Sequence, residues 1–367
     1  MELLDCLRGG PEAPRLALIA GEEGPLVEQA RALGVEARVL PLPPALATLG
    51  DSQLRGAGVT RALRFGAGLL RAAPAATSHR RQLQHLLQDF GPTLIHSNGV
   101  KTHLLSALCA TDAPVVWHVH DFLGERPLVG RTLRWAGARA AAAISNSEAV
   151  AEDARRVLGG VPVHTVYNGV DTRRFAPGRA DGARLDSLAS LPRAPEGTVR
   201  LGLVATYARW KGQELFLRAA ARVRARQPSA PVRFYVVGSP VYRTPGSQYS
   251  EEELRAAARA LGLEGHVGFI PFQAEPAEIY RALDGVVHAS TRPAPFGMTI
   301  VEARACGRAV VGSAAGGAAE LVRHEQDALT FQPGEEAGLA EALERLVREQ
   351  MLRARLGREA RRTVQAR

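Results

Sequence analysis

The sequence predicts an α/β protein made of two doubly wound domains with parallel sheets. Three observations carry this expectation. Short apolar runs alternate with longer amphipathic stretches along nearly the whole chain, the pattern of repeated βαβ units. That series occurs twice, interrupted at 173–197 by a stretch rich in Pro, Gly, Ala, Ser and charge that reads as a linker or irregular segment. The length of 367 residues also matches about two domains. The expected divisions are 1–172, 173–197 and 198–367.

In the first series, strands are expected at Leu16–Ala20, Ala37–Leu40, Leu94–His96, Val115–His118, Ala142–Ser145 and His164–Val166. Helices fall between them at Leu26–Leu33, Gln82–Phe90, Thr102–Cys109 and Glu148–Leu158. In the second series, strands are expected at Val199–Val204, Val232–Val237, Val267–Ile270, Val286–Ala289, Ala309–Val311 and Leu329–Phe331. The accompanying helices are Gln213–Arg224, Glu251–Leu261, Pro276–Leu283, Gly297–Cys306 and Leu339–Leu356. Open sheets of this kind bind ligands beyond the carboxyl ends of their strands.

Composition removes several classes. Hydrophobic residues make up 46% and charged residues 23%, an ordinary globular balance. No apolar run approaches the roughly 20 residues of a membrane span, and no secretory leader is visible at the start, so a cytoplasmic protein is expected. Cys6, Cys109 and Cys306 are widely separated, which argues against a disulfide framework or a structural zinc site. Neither a Walker A motif nor a dinucleotide-type GxGxxG follows the first strand. The net charge is +9, yet no basic run interleaved with aromatics is present and aromatics are only 5%. Nucleic acid is therefore not an expected partner. Of 46 basic residues only Lys101 and Lys211 are lysine. Genome composition accounts for most of the arginine, and a surviving lysine marks a place where arginine serves badly.

The strongest motif runs from His288 to Gly307. A strand ends, a proline-rich turn follows, and Gly297 opens a helix that carries Glu302. Glycine lets backbone approach a ligand, and a helix N-terminus can hold a phosphate. A carboxylate at Glu302 can accept two hydrogen bonds from a ribose diol. Gly312–Glu320 is a second strand-to-helix junction rich in glycine, although such junctions often serve packing alone. Arg209 and Lys211 follow the first strand of the second series, where cations can neutralise a diphosphate. His118, His120 and Asp121 end a strand of the first series. No third ligand follows at metal-like spacing. A histidine there can instead bond a sugar hydroxyl or act as acid or base, and one of the two is expected to be structural.

Read together, "SNSEAV", "VYNGVDTRRF", "ARWKGQ", "VVGSP…GSQYSEEEL", "ALDGVVHAS" and "PFGMTIVEARACGRAVV" resemble a retaining glycosyltransferase of family 4 with the GT-B fold, two Rossmann-like domains facing each other across a cleft. The resemblance runs from about Leu16 to Val364. It implies an acceptor-side domain at 1–172 and a donor-binding domain at 198–367, with sugar transferred from a nucleotide-diphospho-sugar with retention of anomeric configuration. It further implies that Glu302 holds the donor ribose. Phe296, Gly297, Met298 and Thr299 meet the diphosphate or sugar through their backbone, and Lys211 neutralises the phosphates. Val267 and Phe269 flank the base, Gly238 belongs to the donor loops, and His120 lies near the reacting sugar. No metal and no resident cofactor is expected, because cations and a helix N-terminus take the metal's place. The acceptor would be a glycan, a lipid-linked molecule or a small molecule, which is compatible with a peripheral contact at an anionic membrane during envelope polysaccharide synthesis.

The sequence departs from the family pattern in two motifs. The family's Glu-x7-Glu pair keeps its second member as Glu302, but the first position is Ala294, which has no carboxylate. The triplet Gly-Arg-Leu before the phosphate lysine is Ala205-Thr206-Tyr207 here, leaving Arg209 as the substitute cation. The ends also read as short: Met1–Arg8 resembles only the close of the family's first helix, the first strand and its Gly-rich loop are not recognisable, and Gln365–Arg367 falls where a crossing helix would start. These departures support an alternative, a non-catalytic member that binds nucleotide or nucleotide sugar.

Overall fold

The computed structural model describes residues 2–9, 13–47, 59–109, 111–125, 127–179, 181–241 and 246–366. The chain divides into two compact units, one of 1–145 with 152–164 and one of 146–151 with 165–367. Among the described residues the first unit holds strands β1 (Ala17–Ala20), β2 (Glu36–Val39), β3 (Ile95–Asn98), β4 (Val115–Val119), β5 (Ala142–Ser145) and β6 (Val163–Thr165). β1 and β2 form a parallel pair of their own. The other four form a sheet in the order β3-β4-β5-β6, in which β3, β4 and β5 run parallel. Helices Val100–Leu108 and Pro127–Gly137 connect neighbouring strands of this sheet, as βαβ topology requires.

The second unit is a six-stranded parallel sheet of β7 (Val199–Val204), β8 (Val232–Val237), β9 (Val267–Ile270), β10 (Gly285–His288), β11 (Ala309–Ser313) and β12 (Leu329–Phe331). Their order, β12-β11-β10-β7-β8-β9, is that of the Rossmann fold. Both faces are covered. Alternate residues such as Leu201, Leu203, Phe234 and Val311 pack under helices Gln213–Arg226, Glu251–Ala260 and Glu336–Arg348. Tyr235, Val237, Val286 and Val310 pack on the other side against helices Gly182–Leu188, Pro276–Ala282 and Met298–Ala305. Burial on both faces is why these strands read as continuous apolar runs rather than alternating ones.

Most expected elements occur within a residue or two of their read bounds. Three differ in kind. The helix expected at Leu339–Leu356 is two helices, Glu336–Arg348 and Gln350–Gln365, parted by Glu349 at φ −105° and ψ 82°. The helix expected at Gln82–Phe90 is the end of a longer one, Val59–Phe90, which runs through Pro74. The segment read as a linker contains helix Gly182–Leu188, capped by Asp181, and it folds onto the second unit. Its anchor is Asp186, buried and accepting hydrogen bonds from Tyr235 (2.6 Å), Arg233 (2.7 Å), Arg200 (3.2 Å) and the backbone N–H of Ala194 (2.9 Å). The partners lie up to 49 residues away, so composition alone could not disclose this anchor.

Candidate functional site

The strand order of the second unit reverses between β7 and β10, so their carboxyl ends form the topological switch point, where open α/β sheets bind ligands. The loops that leave these two ends carry most of the residues singled out in the sequence. Backbone contacts hold the two loops together. Gly212, at φ +80°, lies so close to Ala289 that a Cβ would stand 1.9 Å from its carbonyl oxygen. The N–H of Thr291 donates to the carbonyl of Trp210 at 2.8 Å. On the β8 side, Gly238 adopts φ +146°, and a Cβ there would meet the Ala205 carbonyl at 2.0 Å. Only glycine fits at either point.

Lys211 ends a short 3-10 turn, Arg209–Lys211, after β7. Its ammonium sits 3.9 Å from the centroid of the Trp210 ring. No carboxylate pairs with it among the described residues, and burial pushes its pKa down to about 8. At the end of β10 stands His288, 5% exposed. Its Nε2 lies 3.2 Å from the Ser290 hydroxyl, and its Nδ1 has no hydrogen-bond partner among the described residues. Burial, and next the charge of Lys211, holds this imidazole neutral, with a pKa down to about 3. Arg209 is engaged by other groups. It bonds Glu253 at 2.7 Å and lies 4.2 Å over the Tyr249 ring.

After β10, Gly297 at φ +150° starts helix Met298–Ala305, which has no side-chain cap. Phe296 is buried beside the Tyr167 ring, with ring centroids 6.1 Å apart. Met298 and Thr299 form the first turn. Further along, Glu302 accepts a hydrogen bond from the hydroxyl of Tyr280 at 2.7 Å. An uncapped helix N-terminus and an amine on the loop leaving the adjacent strand are groups that can stabilise an anion.

Several expected residues are otherwise engaged. Val267 and Phe269 lie inside β9 with side chains 7% and 4% exposed, packed in the core. They cannot flank a ligand with those side chains. The exposed aromatic near this strand end is Phe272, two residues beyond it, which the sequence reading passed over. Ala294 is buried and bridges Gly316 in parallel fashion. The N–H of Gly317 donates to its carbonyl at 2.8 Å, so Gly316 and Gly317 serve this backbone packing. Glu320 caps the backbone N–H groups of Glu148 (3.0 Å) and Ala149 (2.8 Å).

His120 belongs to the first unit, just beyond β4. It bonds the Asn98 side chain, and its ring is 4.5 Å from that of His118. His118 in turn contacts His96 at 5.2 Å. Burial lowers the pKa of His120, while Asp121 opposes the shift. Burial takes His118 down to about 4. Behind them His103 stacks on Trp117 and shares a 2.7 Å hydrogen bond with Ser97. Among the described residues, no group of three or more His, Cys, Asp or Glu side chains is arranged to hold a metal ion. No described helix is long and apolar enough to cross a membrane.

Sequence reasoning assigned no role to Tyr280 or to His288, although His288 opens the strongest motif. Tyr280 reads as an apolar-face aromatic of an amphipathic helix, and nothing local betrays its bond to Glu302. His288 closes an apolar strand run, and that single polar residue at a strand's carboxyl end was the available signal.

The fold defines a protein of two α/β units, one of them with Rossmann strand order. The chain belongs to the group 1, family 4 glycosyltransferases: the model described as "Glycosyl transferases group 1" matches residues 192–363, and that described as "Glycosyltransferase Family 4" matches residues 26–174. It is 34% identical over 209 residues to a D-inositol 3-phosphate glycosyltransferase of Rhodococcus erythropolis, covering 56% of this chain and 45% of that one. A protein of the same description from Rhodococcus jostii is 32% identical over 288 residues, 76% of this chain and 59% of the other. The chain thus spans about half the length of these relatives. Among solved structures, Anabaena Alr3699/HepE, determined with UDP and glucose, aligns with a TM-score of 0.77 at 24% identity, covering 100% of this chain and 91% of that one. Sucrose-phosphate synthase of Thermosynechococcus elongatus aligns with a TM-score of 0.69 at 20% identity, covering 96% and 94%. These likenesses give the fold, GT-B.

Proposed function

We propose that the chain transfers a sugar from a nucleotide-diphospho-sugar donor to an acceptor, with retention of anomeric configuration. The observation that carries this reading is the convergence of Lys211, His288 and the Gly297 helix start on the switch point of one Rossmann-ordered unit. Lys211 and the first helical turn, Met298 and Thr299, would hold the diphosphate, whose charge the amine and the helix dipole neutralise. Glu302 would hold the ribose. The backbone at Gly238 and Phe296 would border the donor, and His120 of the other unit would act on the transferred sugar or the acceptor. Arg209, occupied by Glu253, would serve the phosphates only after leaving that partner. UDP is the first nucleotide to try, since Alr3699/HepE was solved with it. The relatives' description makes a phosphorylated polyol an acceptor to try first. Glycan and lipid-linked acceptors follow, the latter entailing peripheral contact with an anionic membrane.

Ala294 favours a second reading, donor binding without transfer, because a family carboxylate is absent there. Incubation with UDP-glucose and a panel of acceptors, with the product followed by proton NMR, separates the readings. A product with the anomeric configuration of the donor supports retaining transfer, and an inverted product overturns it. Nucleotide binding without product or sugar release supports the second reading.

A further inference from the structure

Glu302 is placed on helix Met298–Ala305, after β10. The helix before β10, Pro276–Ala282, packs on the same face of the sheet. Tyr280 on that helix is 0% exposed, and its ring lies among Phe175, Ile279 and the flanking core residues. The only part of this side chain that is not apolar is its hydroxyl, and that hydroxyl donates to Oε2 of Glu302 at 2.7 Å. A tyrosine could fill this core as phenylalanine does. Burying a hydroxyl is repaid only if it finds a partner, and here the partner is a carboxylate that is itself half-buried, one turn into helix Met298–Ala305.

We infer that Tyr280 is the positioning residue of Glu302: its hydroxyl fixes one carboxylate oxygen so that the group is held in a single rotamer for the vicinal hydroxyls of the donor ribose. This rests on the reading of Glu302 as the ribose ligand. The geometry explains why the contact comes from a neighbouring helix rather than from the turn itself. A glutamate has three rotatable bonds, and an unbraced one must be ordered when the ligand arrives. Burial keeps the tyrosine hydroxyl protonated far beyond neutral pH, so it donates under all working conditions. A neutral donor leaves the carboxylate its charge, whereas an arginine in this place would compete with the ribose for it.

The test is a cycle between protein and ligand, measured by isothermal titration calorimetry. UDP and 2′,3′-dideoxy-UDP are titrated into the unchanged chain and into Tyr280→Phe, with GDP and ADP and their dideoxy forms used if UDP is silent. The expected result is a roughly tenfold weaker binding of the ribonucleotide by Tyr280→Phe and no further weakening of the dideoxy form. Equal weakening of both overturns the inference, since a purely structural role would act on both alike. Should the phenylalanine variant fail to fold, 4-methylphenylalanine at 280 fills the space of the hydroxyl without a donor, and the same comparison applies. Binding of none of the three nucleotides by the unchanged chain overturns the donor reading and this inference with it. Nucleotide binding that shows no preference for the ribose hydroxyls overturns the role of Glu302 while leaving the donor reading intact.

Discussion

Lys211 stands where arginine and lysine differ most. Arginine stays charged at any ordinary pH, whereas an amine can give up its proton when buried. Burial without a carboxylate lowers Lys211 to about 8. In the free chain the amine is therefore largely protonated at pH 7 and largely neutral at pH 9. A diphosphate favours the protonated form, so its binding should be fully expressed below about pH 8 and decline as pH rises through that value. The expected loss is roughly tenfold between pH 7 and pH 9 at constant ionic strength. Lys211→Arg should flatten this dependence while keeping binding. A calorimetric pH series of both proteins checks it, and an unchanged slope in the arginine variant would exclude Lys211 as its source. His288 and the Arg209–Glu253 pair are the titratable groups on and beside these loops. The first is already neutral across this range, and the second carries offsetting charges. Glu214, on the helix that follows Gly212, is held by Tyr249 and Arg218.

Elements carried most of the information that the sequence made legible. The six strands of the second unit were readable because both faces are buried, and such strands are unbroken apolar runs. The turn at Gly297 was legible too, as glycine opening a helix after a strand, whereas the left-handed turn at Gly212 was not singled out. What remained hidden was side-chain pairing across elements. Val267 and Phe269 sit inside a strand whose apolar run signals burial, but the sequence does not show that Phe272, just past Pro271, is the exposed aromatic at that strand's end. Tyr280 and Glu302 are 22 residues apart and joined only when two helices share one face of the sheet. The break at Glu349 was also missed, because its flanks are both helix-forming. A backbone prediction belongs at this scale. Gly212→Ala would force a Cβ within 1.9 Å of the Ala289 carbonyl at a left-handed φ. We expect a loss of about 2 kcal/mol or more, seen as a fall of roughly 5 °C in the melting temperature of the second unit. The same change at Gly246, where no atom lies within 4 Å, would lack the clash and show a smaller effect that arises from its φ of +72° alone.

At the scale of the whole molecule, the chain combines a family fold with local departures from the family pattern. The net charge of +9 comes largely from arginines on the surface, many of them paired, as with Arg218 and Arg222 on Glu336. Such exposed pairs contribute little to stability and do not define a ligand. In the function we propose, the charge that matters is local, an amine and a helix start on the loops at the switch point of one unit. The loss of a carboxylate at Ala294 lies on the same turn, which is why binding and transfer must be measured separately. The most direct measurement is calorimetric titration of the unchanged chain and of Lys211→Ala with UDP, GDP and ADP at pH 7. Our account predicts that at least one nucleoside diphosphate binds with a stoichiometry of one, and that the alanine variant binds it at least roughly tenfold more weakly. Binding of none of them, or binding that Lys211→Ala leaves unchanged, would contradict it.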